Sequence, residues 1–247
     1  MLTAAGSGYS RWQDLAVTRW REDATCDDWG SYIYLKDVED DRLWSATYQP
    51  TGAAPDLYEV AFSEERATFS RQDGDLHTTL EVVVSTEDDA EVRRLTISNN
   101  GERTREIEVT SFAELAIAPQ ASDTAHPVFS KMFVETEFVA RFGAILATRR
   151  RRSPSEPEIW AAHHSVAEGE DVGKAEFETH RGRFLGRGLG VRTPAAAIDG
   201  RLLSRSTGAV LDPAFVLRRR VRLAPGAAVH IDFWTVVAES RADVLNV

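Results

Sequence analysis

TRWREDATCDDWGSYIYLKD, residues 18–37, is the stretch whose reading decides the fold. Its second half alternates. Tyr32, Tyr34 and Lys36 point one way, and Ile33, Leu35 and Asp37 point the other, which is the period of a β-strand. Its first half is a polar loop that pivots on Gly30. There Trp20 and Trp29 stand among Arg19, Arg21, Asp23, Asp27 and Asp28. Two readings are open at this point. Flat rings beside bidentate donors and acceptors make a sugar-binding surface. The same residues also describe a strand with aromatics in the core and charges on its rim.

Outward from this stretch the pattern is β throughout. Upstream, residues 11–20 are short and mixed. Downstream, a charged turn at 39–42 leads to a strand at 44–49. Tyr58, Val60 and Phe62 alternate with polar or small neighbours, and residues 76–85 alternate for nearly ten positions. Asp73-Gly74 signals a hairpin, and Asn99-Asn100-Gly101 is the strongest turn of the chain. A strand at 104–117 answers that turn, with Ile107, Val109 and Leu115 on one face and Glu106, Glu108 and Glu114 on a polar side. Further strands are expected at 131–140, 143–148, 159–166, 215–223 and 229–238. Residues 118–130, with Pro119 and Pro127, read as a loop, and 195–198 as a short helix. Ser240 followed by Asp243 resembles a helix start. Twelve or more strands with almost no helix predict an all-β fold of large, stacked antiparallel sheets.

Composition narrows the partners. A 247-residue chain can be one large all-β domain, and a net charge of −10 argues against nucleic acid and anionic membrane surfaces. No run of eighteen apolar residues exists, so no direct membrane insertion is expected. The opening MLTAAGSGYSRW lacks the pattern of a secretory signal. One cysteine, Cys26, excludes an internal disulfide and weakly suits a reducing compartment. The arginine run 149–152 reads as a solvated hairpin end. His163 and His164 are adjacent in a strand and face opposite sides, so they do not form one metal site, and no zinc spacing occurs. No metal or cofactor is expected.

Ordered motifs add a resemblance. GSGYSRW (6–12), the opening stretch, WSATYQP (44–50), HPVFSKMFVETE (126–137), RFLGRG (183–188), LDP (211–213) and TVVAESRADVL (235–245) resemble the phosphorylase-like region of cyclic β-1,2-glucan synthases. That region belongs with glycoside hydrolase family 94, formerly glycosyltransferase family 36. The resemblance covers nearly the whole chain. It implies a β-supersandwich similar to the galactose mutarotase fold over residues 1–238. Residues 239–247 would then begin a linker to an (α/α)6 catalytic barrel outside this chain. In the family the catalytic acid and phosphate site lie in that barrel, so no catalytic residue is assigned here.

The resemblance further implies a supporting, non-catalytic carbohydrate-associated domain. Its partners would be the barrel, β-1,2-glucan or a related oligosaccharide, and a second copy in a homodimer. Its place would be the cytoplasmic side of a larger inner-membrane protein. In related phosphorylases a sandwich loop reaches towards a neighbouring active site, and residues 122–131 around His126-Pro127 are the candidate. The substrate-binding or interface candidates are therefore Arg19, Arg21, Asp28, Trp29, His126 and Lys131. The chain departs from the pattern at His180, where an acid is expected. Two alternatives stand beside this reading. One is a mutarotase-type sugar epimerase drawing an acid and a base from His126, His163, His230, Glu135 and Glu137. The other is a free-standing carbohydrate-binding module built on Trp12, Trp20, Trp29 and Trp44.

Overall fold

The computed structural model describes residues 1–23, 25–151, 153–154 and 156–247. The chain opens with four short strands, β1 (Arg11–Trp12), β2 (Leu15–Thr18), β3 (Tyr32–Asp37) and β4 (Leu43–Ser45). An antiparallel meander follows: β5 (Leu57–Phe62), β6 (Arg66–Asp73), β7 (Leu76–Val84) and β8 (Ala90–Asn99). The long β9 (Arg105–Pro119) leads to α1 (Gln120–Ala125) and α2 (Pro127–Lys131). Then come β10 (Val134–Val139), β11 (Ala144–Arg149), β12 (Trp160–Glu168), β13 (Glu170–Asp171) and β14 (Glu176–His180). Two short helices, α3 (Arg181–Leu185) and α4 (Ala195–Ile198), precede β15 (Pro213–Leu223), β16 (Ala228–Ala238) and α5 (Arg241–Asn246).

The strands make two antiparallel sheets stacked face to face, the expected all-β supersandwich. In the first sheet β9 is central, with β2 and β3 on one side and β15 on the other; β15 in turn carries β13 and β14. The second sheet runs β10-β11-β12-β16-β8-β7-β6-β5. Between them lie the inward residues of each alternating strand, among them Leu35, Phe69, Leu95, Val109, Ile145, Phe215 and Ile231. Burial of such side chains stabilises by roughly 1.5–3 kcal/mol each.

Asp73-Gly74 is a hairpin turn as expected, with Gly74 at φ 60° joining β6 to β7. Asn99-Asn100-Gly101 turns the chain but makes no hairpin. β8 and β9 belong to different sheets, so this turn is a crossover. The buried Asn99 amide ties it down by donating to the Arg103 and Leu223 carbonyls at 2.8 and 3.1 Å. Residues 118–130 are a correction too. They form two short helices, here called the finger. Pro127 occupies the first turn of α2, where its missing N–H needs no partner.

The polar side of β9 is not solvated. Glu108, Thr110, Phe112 and Glu114 are all buried beneath a cap made by α3, α4 and the segments around them. Phe112 stacks on Phe184 of α3 with ring centroids 5.2 Å apart. Side chains of two strands reach up to cap carbonyls: on β3 Tyr34 Oη donates to Val191 and Lys36 Nζ to Ile198, and on β15 Arg218 donates to Ala196 and Arg201. Both faces of β3 are therefore buried, because a second apolar cluster covers the face that would otherwise meet water.

Ser240 accepts from Asp243 N at 3.1 Å and starts α5, as its spacing predicts. α5 folds back on the outer face of the second sheet, where Val244 packs in a cluster with Leu146 and Val236. Of the arginine run, Arg149 and Arg150 lie over the Phe133 ring, at 5.3 and 5.6 Å, and Arg150 pairs with Glu135. Residue 152 lies outside the described residues. No described helix is long and apolar enough to cross a membrane.

Candidate functional site

Arg19 follows β2 and keeps to the first sheet through its own amide, which donates to Glu114 O at 2.8 Å. Its side chain runs under the finger. Nε and Nη2 donate to the two carboxylate oxygens of Asp123 on α1, both at 2.7 Å, and Nη1 reaches Glu114 Oε2 at 3.4 Å. Glu114 also accepts from Arg181 at the start of α3. Arg181 Nη1 lies 3.4 Å from Asp212 Oδ2, and Lys131 Nζ lies 2.6 Å from Asp212 Oδ1. The result is a continuous ionic chain in the order Asp123, Arg19, Glu114, Arg181, Asp212, Lys131.

The charges in this chain alternate and sum to zero. That is the condition under which buried ions are tolerated, since each desolvated charge meets an opposite one within hydrogen-bond reach. Arg19 is only 2% exposed. Burial works against the Asp123 carboxylate. The Arg19 hydrogen bonds and charge outweigh it and hold the carboxyl below its ordinary range. The chain ties both ends of the finger to the first sheet and the cap, Asp123 near its start and Lys131 at its end.

A cavity of about 150 Å³ opens beside the chain. Arg19, Glu114, Arg181, Asp28, Trp29 and Phe112 are among the residues that line it. The Arg21 guanidinium lies 5.6 Å over the Trp29 ring. Gly30 belongs here because a Cβ would meet the Tyr32 ring at 2.7 Å. Arg19, Asp28 and Trp29 are thus brought together, Arg21 stacks on that group, and Lys131 joins through Asp212. Two carboxylates, two guanidiniums and an indole around one small hollow can hold a hydroxyl-bearing group.

His126 does not join. It stands exposed at the junction of α1 and α2, and its side chain makes no capping hydrogen bond. Around it the finger exposes Val128, Phe129 and Met132. The other acids of the opening stretch organise their own loop. Asp27 accepts from Ser7 Oγ at 2.7 Å, and Asp23 accepts from the Thr25 and Cys26 amides. At His180, where an acid is expected, Nδ1 accepts from Gly182 N and caps α3.

The residues considered for a sugar-epimerising pair are dispersed. His163 lies between the sheets, stacked on Phe215 and bonded to Ser111 and Thr235. His230 meets Thr96 on β8, Glu135 meets Arg150, and Glu137 meets Arg241 of α5. The four tryptophans make no platform either. Trp44 is 1% exposed, Trp12 packs against the core, and Trp20 stacks on Tyr9. Among the described residues no group of three or more His, Cys, Asp or Glu could hold a metal.

Sequence reasoning missed Glu114, Asp123, Arg181 and Asp212. Glu114, Asp123 and Asp212 lie in segments that pattern or resemblance had already singled out, and Arg181 lies just before one. Nothing local pairs Arg19 with an acid 104 positions away. The available signal was charge on the polar side of β9, which is neutralised only if basic residues cover it.

Comparison with known proteins agrees with this architecture. The family model "Glycosyl hydrolase 94, supersandwich domain" matches residues 1–247. The cyclic beta-(1,2)-glucan synthase NdvB of Rhizobium meliloti (strain 1021) is 41% identical over 99% of this chain, which spans 9% of that protein. Solabiose phosphorylase of Paenibacillus borealis is 25% identical over 80% of the chain and 24% of its own length. N,N'-diacetylchitobiose phosphorylase of Vibrio proteolyticus is 25% identical over 93% of the chain and 28% of its own length. A bacterial glucoamylase structure, solved with acarbose, shares the fold at a TM-score of 0.54 and 8% identity over 94% of this chain and 28% of its own. The chain therefore spans between about a tenth and just over a quarter of these relatives, and it belongs to the glycosyl hydrolase 94 supersandwich family.

Proposed function

We propose that this chain is the non-catalytic supersandwich unit of a cyclic β-1,2-glucan synthase or glycoside phosphorylase. In this reading it buttresses an adjacent helical catalytic barrel and presents the finger to a substrate pocket or a dimer mate. The glycan is β-1,2-glucan or a related oligosaccharide, and the unit stands on the cytoplasmic side of a larger inner-membrane protein. The observation that supports this reading is the neutral ionic chain beneath the finger, buried at Arg19, Glu114 and Asp123 and half-buried at Arg181, Asp212 and Lys131. It holds a short segment rigid while leaving His126, Val128 and Phe129 turned outward. A segment held that firmly and left uncovered is suited to meeting another surface without an ordering cost.

A chimera tests it. This chain replaces the matching segment of the Rhizobium meliloti synthase, and cyclic glucan formation is measured. An active chimera that loses activity on His126→Ala with Phe129→Ser, while remaining folded, supports the finger reading. Unchanged product yield and ring size in that variant reject the finger's role. An inactive but folded parent chimera rejects the synthase assignment itself.

A further inference from the structure

The cap carries a second surface that the finger reading does not use. Residues 199–206 cross the cap as a strap, and Leu202 at its centre is 79% exposed. Two hollows flank it and share Leu202 as a wall. One, of about 350 Å³, is lined by Lys174, Arg205, Arg218 and Arg220 against Glu108 and Glu176. The other, of about 410 Å³, is lined by Arg183, Arg187 and Arg201 against Glu178. The chain as a whole carries a net charge of −10, so two adjoining hollows rich in arginine run against its overall field.

Several of these cations are already engaged. Arg218 donates to cap carbonyls, Arg220 pairs with Glu106 and Glu108, and Arg201 pairs with Asp199. Lys174, Arg187 and Arg205 are exposed and have no ion pair among the described residues. They fall on both sides of the leucine.

The strap is not a loose loop. Arg218 Nη1 donates to Arg201 O at 2.9 Å, Leu203 N donates to Glu176 Oε2 at 2.8 Å, and Ser204 N donates to Glu178 at 3.2 Å. Thr179 Oγ1 donates to Ser206 O at 2.8 Å. Arg205 sits at φ 57°, a left-handed conformation that a non-glycine residue adopts only when its surroundings impose it. The backbone is thus fixed immediately before and after the exposed side chain.

We propose that this strap is a docking surface for an acidic protein partner, with Leu202 inserted into an apolar seat and carboxylates of the partner entering the two hollows. A central apolar anchor on a rigid backbone, ringed by charge, is the arrangement of an interface hot spot. A free phosphate would need donors converging on one point, whereas these free cations are divided by a leucine. A nucleic acid would make no use of that leucine. The proposal is independent of the finger.

A random dodecapeptide library is selected on the 247-residue chain, and the best peptide is resynthesised for titration. The expected sequences carry Glu or Asp on both sides of a large apolar residue. Their binding weakens at least about tenfold in Leu202→Asp and in the double variant Lys174→Glu, Arg187→Glu, and it weakens with added salt. The changed residues are exposed, so the thermal midpoint should stay within a few degrees; a displaced midpoint is answered by the milder Leu202→Ser and Arg187→Gln, read in the same titration. Selection of peptides without that pattern, equal binding by the variants, or displacement of the peptide by millimolar inorganic phosphate overturns the proposal.

Discussion

Arg19 and Asp123, 104 positions apart, share two hydrogen bonds of 2.7 Å beneath the finger, and the pair is closed off from water. Their geometry is the planar fork of a guanidinium on a carboxylate. Removing either partner leaves a buried charge without its counter-ion. Arg19→Ala and Asp123→Ala should each cost about 3–5 kcal/mol in urea unfolding. Arg19→Lys should recover only part of that loss, because an ammonium cannot span both oxygens. Asp28→Asn, at the cavity edge, should cost far less. Equal losses at Asp28 and Arg19 would refute the structural role assigned to the ionic chain.

Acid should release the same contact. Asp123 is held below the ordinary aspartate value of 3.8, so the folded state binds its proton less readily than the unfolded state. Its contribution is fully present above the unfolded value and disappears as pH falls below about 4. Asp123→Asn should be less stable than the parent at neutral pH, and the gap should narrow towards pH 3. Equilibrium unfolding across that range gives the answer, and a constant gap would contradict the argument.

His163 predicts the opposite assignment of a proton. Burial, with the neighbouring His164 adding to it, depresses its pKa from 6.5 to about 3. Below pH 6.5 the unfolded chain takes up a proton that the folded chain refuses. Stability from this group should therefore fall by about 1.4 kcal/mol per pH unit between roughly pH 6 and 4. In His163→Gln, which can still meet Ser111 and Thr235, that part of the slope should vanish. The comparison is between two slopes, so carboxylates common to both proteins cancel.

At His180 the chain uses an imidazole as the acceptor that caps α3. His180→Asp should preserve the cap, and His180→Ala should lose about 1 kcal/mol. Amide exchange of Gly182 reports the loss directly. Identical exchange in the alanine variant would remove the capping role.

The alternating strands were legible because each buries one face on the sandwich core. The pattern over residues 76–85 predicts β7 to within a residue. Asn99-Gly101 was readable as a turn but not as a crossover, because the destination of β9 is decided by β15, which lies a hundred positions later. The finger was hidden by Pro119 and Pro127, which read as loop punctuation although a proline is accepted in a helix's first turn. Arg19 and Lys131 were found by composition and resemblance. The acids that pair with them were not, because ion pairing between segments distant in sequence leaves no periodic trace.

The order of strands has a consequence for synthesis on the ribosome. β15, which flanks β9 in the first sheet, and β16, which separates β12 from β8 in the second, are the last two strands of the chain. One side of β9 stays unpaired until β15 has emerged, and the two halves of the second sheet cannot join until β16 has, so the earlier strands wait with unpaired edges and exposed apolar faces. A nascent chain stalled before residue 213 should be protease-sensitive and bound by chaperones throughout. One released a few tens of residues beyond 238 should become resistant in a single step.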